Sequence, residues 1–329
     1  MKLLMLGGTA FLGRAFVDEA LARGHDVTLF TRGQTNPGLY ADAEHLVGDR
    51  TSDLSALAGR GWDAVVDTCG YDPDVVRRSV SLLRNAVGHY TFISSVSVYA
   101  DWPLNAVDES TPSKQPGEGV EEDGGYGWRK AACEGVVLEA FADRALILRP
   151  GLIIGPHEDV GRLPFWLHCA ASRELILAPA PADRTIQLVD ARDIAAGALG
   201  LLEKQAGGVI NVTAPEGEQT FRELVTACLD VTQSSAEVAW VDDATLASAG
   251  VQMWTELPLW APLSMPGTWA VDTTRAQEAG FVNRPLYETV ADAWEWFKHE
   301  TDYAPRWAWL TAEKAATVSA SPSQSSGTR

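Results

Sequence analysis

Short apolar runs alternate with longer amphipathic ones through the first 150 residues. "KLLML" (2–6) precedes "FLGRAFVDEALARG" (11–24), and "DVTLF" (26–30) follows it. "WDAVVDT" (62–68) precedes "DVVRRSVSLLRNA" (74–86), "YTFIS" (90–94) comes next, and "YGWRKAACEGVVLEAF" (126–141) leads into "ALILRP" (145–150). Apolar runs too short for helices, separated by stretches with helical spacing, predict βαβ units and a doubly wound parallel sheet. The fold class is therefore α/β, with residues 1–150 as one doubly wound unit.

Beyond Pro150 the rhythm breaks. "APAPAD", "APEGE" and "LPLWAPLSMPG" mark loops, and eight of the twelve tryptophans lie past position 200. Residues 151–305 read as a smaller, mainly substrate-binding lobe, with returns to the main sheet expected near 184–213 at "RTIQLVD" and "GVINVT". Residues 306–329 end in the serine-rich "ASPSQSSGTR" and are expected to form an unstructured tail.

Charge narrows the partners. Twenty-six Lys and Arg against 44 Asp and Glu give a net charge of −18, so the average surface repels phosphate backbones and anionic lipid. Nucleic acid and membrane are not expected as partners; a small-molecule substrate is, and a homodimer is compatible with this reading. No apolar run reaches the ~20 residues of a membrane helix, and Met1 leads straight into an apolar run without a basic leader. Cys69, Cys133, Cys169 and Cys228 are widely spaced, without a CxxC pair, and the six histidines form no ligand pattern. Reduced thiols, no metal and a cytoplasmic location are the expectation.

Candidate chemistry starts at "MLGGTAFLGR" (5–14), a glycine turn between strand and helix patterns. Gly7 permits a tight turn and Gly13 close packing of helix on strand, and the turn presents backbone N–H groups to a pyrophosphate. Ala10 stands where such turns usually carry a central glycine, and one extra methyl leaves room for the phosphates. Gly7, Thr9, Ala10, Phe11, Leu12 and Gly13 are the candidate phosphate-binding residues, and with them residues 1–150 read as a dinucleotide-binding unit of the Rossmann type. At the end of the second strand pattern, Thr31 and Arg32 offer a hydroxyl and a permanent cation, a pair suited to a 2′-phosphate. NADP(H) is favoured on that ground, with NAD(H) as the alternative; Asp26 has a suitable spacing but lies at the wrong end of the strand.

"YGWRK" places Tyr126 and Lys130 on one helix face. A cation beside a phenol lowers its pKa, so the tyrosine can exchange a proton with an alcohol or carbonyl oxygen. Upstream, "YTFISSVSVYA" ends a strand in hydroxyls, and Ser95 could bond the same oxygen. The ordered set Gly7, Ser95, Tyr126, Lys130 resembles the short-chain dehydrogenase/reductase superfamily, and more closely its extended NAD-dependent epimerase/dehydratase family, over roughly residues 1 to 300.

The resemblance implies a Ser95–Tyr126–Lys130 site, with Ser95 four residues before the Tyr99 of "SVYA". It implies that Asp49 and Arg50 of "VGDR", Thr68 and Cys69 of "VVDTCGY", and Pro150 with Gly151 of "LRPGLIIGP" line the cofactor cleft, with Lys130 on the nicotinamide ribose. It fits a nucleotide-sugar substrate less well: in "DRTIQLVDARDIA" Ile186 occupies the place of a phosphate-binding arginine and Asp190 that of a histidine, with Arg184 as a substitute. His157, Arg162 and Gln187 are further pocket candidates, and Trp254, Trp260 and Trp269 could shape an apolar pocket. A non-catalytic reading stays open, because "GGT-FLGR" and "LF-RG" also resemble RNA-associated plastid proteins of the same fold.

Overall fold

A computed structural model of the chain describes residues 1–118 and 124–320. Seven strands make one parallel sheet: β1 (Lys2–Leu6), β2 (Asp26–Thr31), β3 (Glu44–Val47), β4 (Trp62–Asp67), β5 (Val87–Ile93), β6 (Ala145–Pro150) and β11 (Gly208–Val212). Their order is β11-β6-β5-β4-β1-β2-β3, and each neighbouring pair is parallel. The chain reverses direction across the sheet between β1 and β4, the switch point where α/β sheets open a ligand crevice.

The central strands are apolar on both sides because helices cover both. Helices α1 (Phe11–Ala22) and α5 (Ala191–Glu203) bury Phe16, Val17, Ile194 and Leu199 against one face. Helices α2 (Pro73–Leu83) and α3 (Tyr126–Phe141) bury Val76, Val80, Cys133 and Val137 against the other.

A separate apolar cluster lies beyond the sheet. It joins α4 (Arg162–Ser172), β8 (Leu175–Pro179), α6 (Phe221–Thr232), β13 (Glu237–Val241) and α9 (Leu286–Phe297), with Trp166, Phe221 and Trp260 at its centre. Strand β8 pairs with β13. "GVINVT" joins the main sheet as β11 beside β6, whereas "RTIQLVD", expected there too, does not. Strand β9 (Thr185–Ile186) pairs with β12 (Gln219–Thr220), and β10 (Leu188–Asp190) pairs with β7 (Leu152–Ile154).

Residues 306–320, read from the sequence as part of a tail, include helix α10 (Ala312–Ser319), between α7 (Asp243–Ser248) and α8 (Thr274–Glu278) upstream and the chain end. Leu310, Ala315 and Val318 are buried in the second cluster, so sparse apolar anchors suffice once the surface to receive them exists. Residues 321–329 lie outside the described residues. No helix among the described residues is long and apolar enough to cross a membrane.

Candidate functional site

Nearly all the candidates stand at the carboxyl ends of parallel strands. Gly7 follows β1, Thr31 and Arg32 close β2, Asp49 follows β3, Thr68 and Cys69 follow β4, Ser95 follows β5 and Pro150 ends β6. One edge of the sheet therefore gathers residues from six segments, which is what parallel winding does to positions far apart in sequence.

The turn after β1 is tight. Gly7 and Gly8 have φ of +100° and +113°, a region that L side chains avoid. A Cβ on Gly7 would lie 2.6 Å from Thr68 Oγ1, and one on Gly13 would lie 2.9 Å from the Cα and N of Gly8. Thr68 N and Oγ1, together with Cys69 Sγ, donate to Leu6 O, fastening the β4 end beneath the turn. Ala10 has φ −136° and ψ 145° and is exposed; any residue adopts that extended conformation, so glycine is not required there. No side chain caps α1, and Thr9 and Leu12 are buried while Phe11 is partly so. Among the described residues the first-turn N–H groups thus have no side-chain acceptor, and the cradle fits a phosphate group.

Arg32 is exposed at the end of β2, and its charge reaches Asp49. Asp49 is held below the ordinary carboxylate range first by the Thr51 hydroxyl and then by the Thr51 N–H. Arg50 departs from its expected place beside the cofactor. It is buried, donates to Asp67 through Nη1 at 2.6 Å and Nη2 at 2.5 Å, and also donates to Ser79 Oγ at 2.9 Å. Tyr90 donates to the same carboxylate at 2.7 Å. Burial alone would raise the Asp67 carboxyl, but the Arg50 charge and hydrogen bonds hold it below its ordinary value. The "VGDR" segment therefore turns Arg50 inward, into a buried ion pair under the cleft.

Tyr126 is the first residue of α3, after Gly125 in the left-handed region at φ +77°. Lys130, one turn on, is 2% exposed and its ammonium donates to Ile93 O at 2.7 Å. Aromatic rings surround it: Nζ lies 4.5 Å from the Tyr71 centroid, 5.0 Å from Phe92 and 6.0 Å from Tyr126. Burial lowers the Lys130 pKa from 10.5 to about 8, with Asp67 opposing that shift. Ser95 is two residues past Ile93, partly buried, and accepts from Ser97 N at 3.1 Å; the turn it caps packs on α3. Tyr99 is fully buried, its hydroxyl donating to Asn211 Oδ1 at 2.6 Å.

Three neighbours escaped the sequence reading. Gly8 was visible only as the second half of a doubled glycine. Tyr71, whose ring centroid is 6.4 Å from that of Tyr126 and which is 56% exposed, stands in a loop without periodicity. Arg14 follows Gly13, and its Nε is buried without a hydrogen-bond partner among the described residues.

The second-lobe candidates divide. Arg162 opens α4 and lies within electrostatic reach of Tyr126. His157, with φ +65°, packs edge-on against Trp296 at 5.2 Å. Arg184 does not serve as a substitute phosphate binder: it is buried, paired with Asp243 at 2.9 Å, and bonded to Ala261 O and Ala180 O. Gln187 is likewise committed, to Ala214 O and to both backbone groups of Val271. Asp190 caps α5 and pairs with Arg192. Trp260 and Trp269 are buried in the second cluster, and Trp254 packs on Trp269 at 6.3 Å.

The model of the NAD dependent epimerase/dehydratase family matches residues 75–213. A curated plant relative, the chloroplast stem-loop binding protein of 41 kDa b of Arabidopsis thaliana, is 28% identical over 253 residues, 69% of this chain. The chain spans 62% of that relative's length. Among solved structures, the Bordetella bronchiseptica enzyme WbmH in complex with NAD+ superposes with a TM-score of 0.69 at 18% identity, covering 91% of this chain and 99% of that one. The UDP-glucuronic acid 4-epimerase of Bacillus cereus, in complex with NAD, gives 0.66 at 15%, covering 94% and 100%. These likenesses establish the Rossmann-type sheet and its lobe as the fold.

Proposed function

From the match of residues 75–213 to the model of the NAD dependent epimerase/dehydratase family, we propose that the protein belongs to that family and is a nicotinamide-dinucleotide-dependent enzyme acting on a carbonyl or alcohol carbon. The carrying observation is the buried Lys130 ammonium, bonded to Ile93 O and 6.0 Å from the Tyr126 ring, on the sheet edge that also holds the Gly7–Gly13 turn. Burying an ammonium costs free energy, and structure without function gives little reason to keep it.

Gly7, Gly8 and Gly13 would hold the pyrophosphate against the N-terminus of α1, with Ala10 leaving the approach open. Thr31 and Arg32 would face the adenosine ribose, and the cation favours NADP(H) over NAD(H). When bound, the nicotinamide would accept or return a hydride. Lys130 would donate to its ribose and, by its charge, favour the Tyr126 phenolate. Tyr126 would take a proton from the substrate hydroxyl or give one to the carbonyl, while Ser95 donates to that same oxygen and keeps it in line.

Several structural neighbours are by name UDP-sugar 4-epimerases, which supports a nucleotide sugar as one substrate class to test. The plant relative's name suggests a stem-loop ligand, but a net charge of −18 opposes it here.

Thermal shifts with NADP(H) and NAD(H), followed by a nucleotide-sugar and small-carbonyl panel, test the reading. Stabilisation by a dinucleotide and turnover on the panel are expected. If neither dinucleotide moves the melting temperature, the reading fails.

A further inference from the structure

Covered arginines in this protein generally have a carboxylate. Arg50 pairs with Asp67, Arg149 with Glu134, Arg184 with Asp243, Arg192 with Asp190 and Arg284 with Asp193. Arg129 and Arg173 instead donate to the backbone oxygens of Gly124 and Leu310, and two others have neither a carboxylate nor such a bond among the described residues. Arg14 stands at the glycine turn, where the pyrophosphate is expected. Arg162 opens α4 within electrostatic reach of Tyr126, partly buried, and among the described residues its guanidinium has neither an ion pair nor a hydrogen bond; only its backbone N–H is engaged.

The nearest acid does not serve as its partner. Glu158 is fully buried and accepts from the backbone N–H of Arg162 at 2.6 Å and of Leu163 at 3.1 Å, so its two oxygens cap α4 instead. The C-terminal segment straps this loop in place. Tyr303 donates its hydroxyl to Glu158 O at 3.0 Å, and Trp309 Nε1 donates to Gly161 O at 3.1 Å. Gly161 is so closely covered that a Cβ there would lie 3.3 Å from Pro305 and Trp309.

The side chain thus leaves a fixed backbone. Arg306, on the same strap, is a second cation within electrostatic reach of both Arg162 and Tyr71, and Arg162 in turn reaches Tyr126. Asp159 is also within reach but exposed to solvent. Desolvating a guanidinium without a counter-ion is unfavourable, and a ligand anion supplies both charge and acceptors.

We propose that Arg162, assisted by Arg306, binds an anionic group of the substrate, a carboxylate or a phosphate, held close to the carbon whose oxygen Tyr126 serves. This rests on the reading of Tyr126 as the proton-transfer residue. It makes Arg162 the specificity residue, since its planar fork matches two anionic oxygens at once.

Isothermal titration of the dinucleotide-loaded protein with inorganic phosphate and with D-glucuronate, each against neutral D-glucose, tests it. At least one anion should bind in the millimolar range and D-glucose should not; which anion binds tells phosphate from carboxylate. Arg162→Met should weaken that binding at least tenfold, and Arg162→Lys by less because charge remains without the fork. Arg306→Ala, at an exposed position, should weaken it about threefold. Equal binding by wild type and Arg162→Met, or no anion binding by the wild type up to about 50 mM, overturns the proposal. Titrating NADP(H) and NAD(H) onto the wild type alone tests the dinucleotide reading separately, so the two failures are told apart.

Discussion

The two walls of the cleft are held by different means. On the sheet wall, Gly7, Arg32, Thr68, Ser95 and Pro150 each end a strand whose neighbours fix it through a parallel ladder. On the lobe wall, Arg162 is placed by single bonds between loops: Tyr303 reaches Glu158 across 145 positions of sequence, and Trp309 reaches Gly161 across 148. A ladder positions many residues at once and tolerates exchange at any one. A strap depends on each of its few contacts, so the sheet wall suits chemistry common to many substrates and the lobe wall suits the part that differs between them.

The largest effect should come from the sheet wall. Tyr126→Phe removes the proton path but not the ring, so turnover of the true substrate should fall by ~10² to 10⁴ while dinucleotide affinity and melting temperature change little. Comparing kcat with a dinucleotide titration checks this. Full turnover would move the chemistry off this wall.

Next in size is cofactor choice. Arg32 is exposed and its charge is shared with Asp49. Arg32→Ala should weaken NADP(H) by about 1.5 to 3 kcal/mol, the size of a hydrogen bond to a charged group, and leave NAD(H) nearly unchanged. Equal loss for both would show that this residue does not read the 2′-phosphate.

A third effect runs opposite in stability and function. The Lys130 pKa is lowered from 10.5 to about 8 by burial, so the unfolded chain binds more protons than the fold between those values. Stability should rise with pH across that window, and the penalty is complete below about pH 8. Lys130→Met should therefore stabilise the fold at pH 7 by about 1 to 3 kcal/mol, remove that pH dependence, and impair dinucleotide binding. Denaturant melts at pH 7 and pH 10 measure it; a less stable variant at pH 7 would mean that the Ile93 bond outweighs desolvation.

The same contrast explains what could be read from sequence. Strand ends are legible because apolar runs announce strands, and a doubly wound order brings their carboxyl ends together; Ser95 is proposed from such an end, and Tyr126 with Lys130 from helical spacing. Arg50, which the resemblance places in the cofactor cleft, is drawn inward by Asp67, 17 residues later, a pairing that no local pattern announces. The lobe wall carries no period to read. Tyr71 and the 303–309 strap are specified by aromatic contacts across long separations, and the tail's helix α10 shows the same blindness. Arg184 and Arg162 look alike in sequence, and only the structure shows one paired with Asp243 and the other with a guanidinium that has no partner among the described residues.

The smallest effect probes the lobe wall. Burial raises the Glu158 carboxyl from 4.5 to about 7, against the pull of the Arg162 charge and the two N–H bonds it accepts. Its folded pKa lies above the unfolded one, so its contribution to stability is full below about pH 4.5 and is lost as pH rises through about 7. Crossing that point also places a carboxylate within electrostatic reach of the Arg162 guanidinium, where it competes with a ligand anion. D-Glucuronate, charged throughout, should bind about two- to fivefold more weakly at pH 8 than at pH 6, a difference of the order of one screened charge pair. Lys130 titrates nearby, so the control is Glu158→Gln, which should flatten this dependence while keeping an acceptor for the Arg162 N–H. If the dependence persists in Glu158→Gln, the titrating group belongs to the sheet wall, and Glu158 serves only to cap α4.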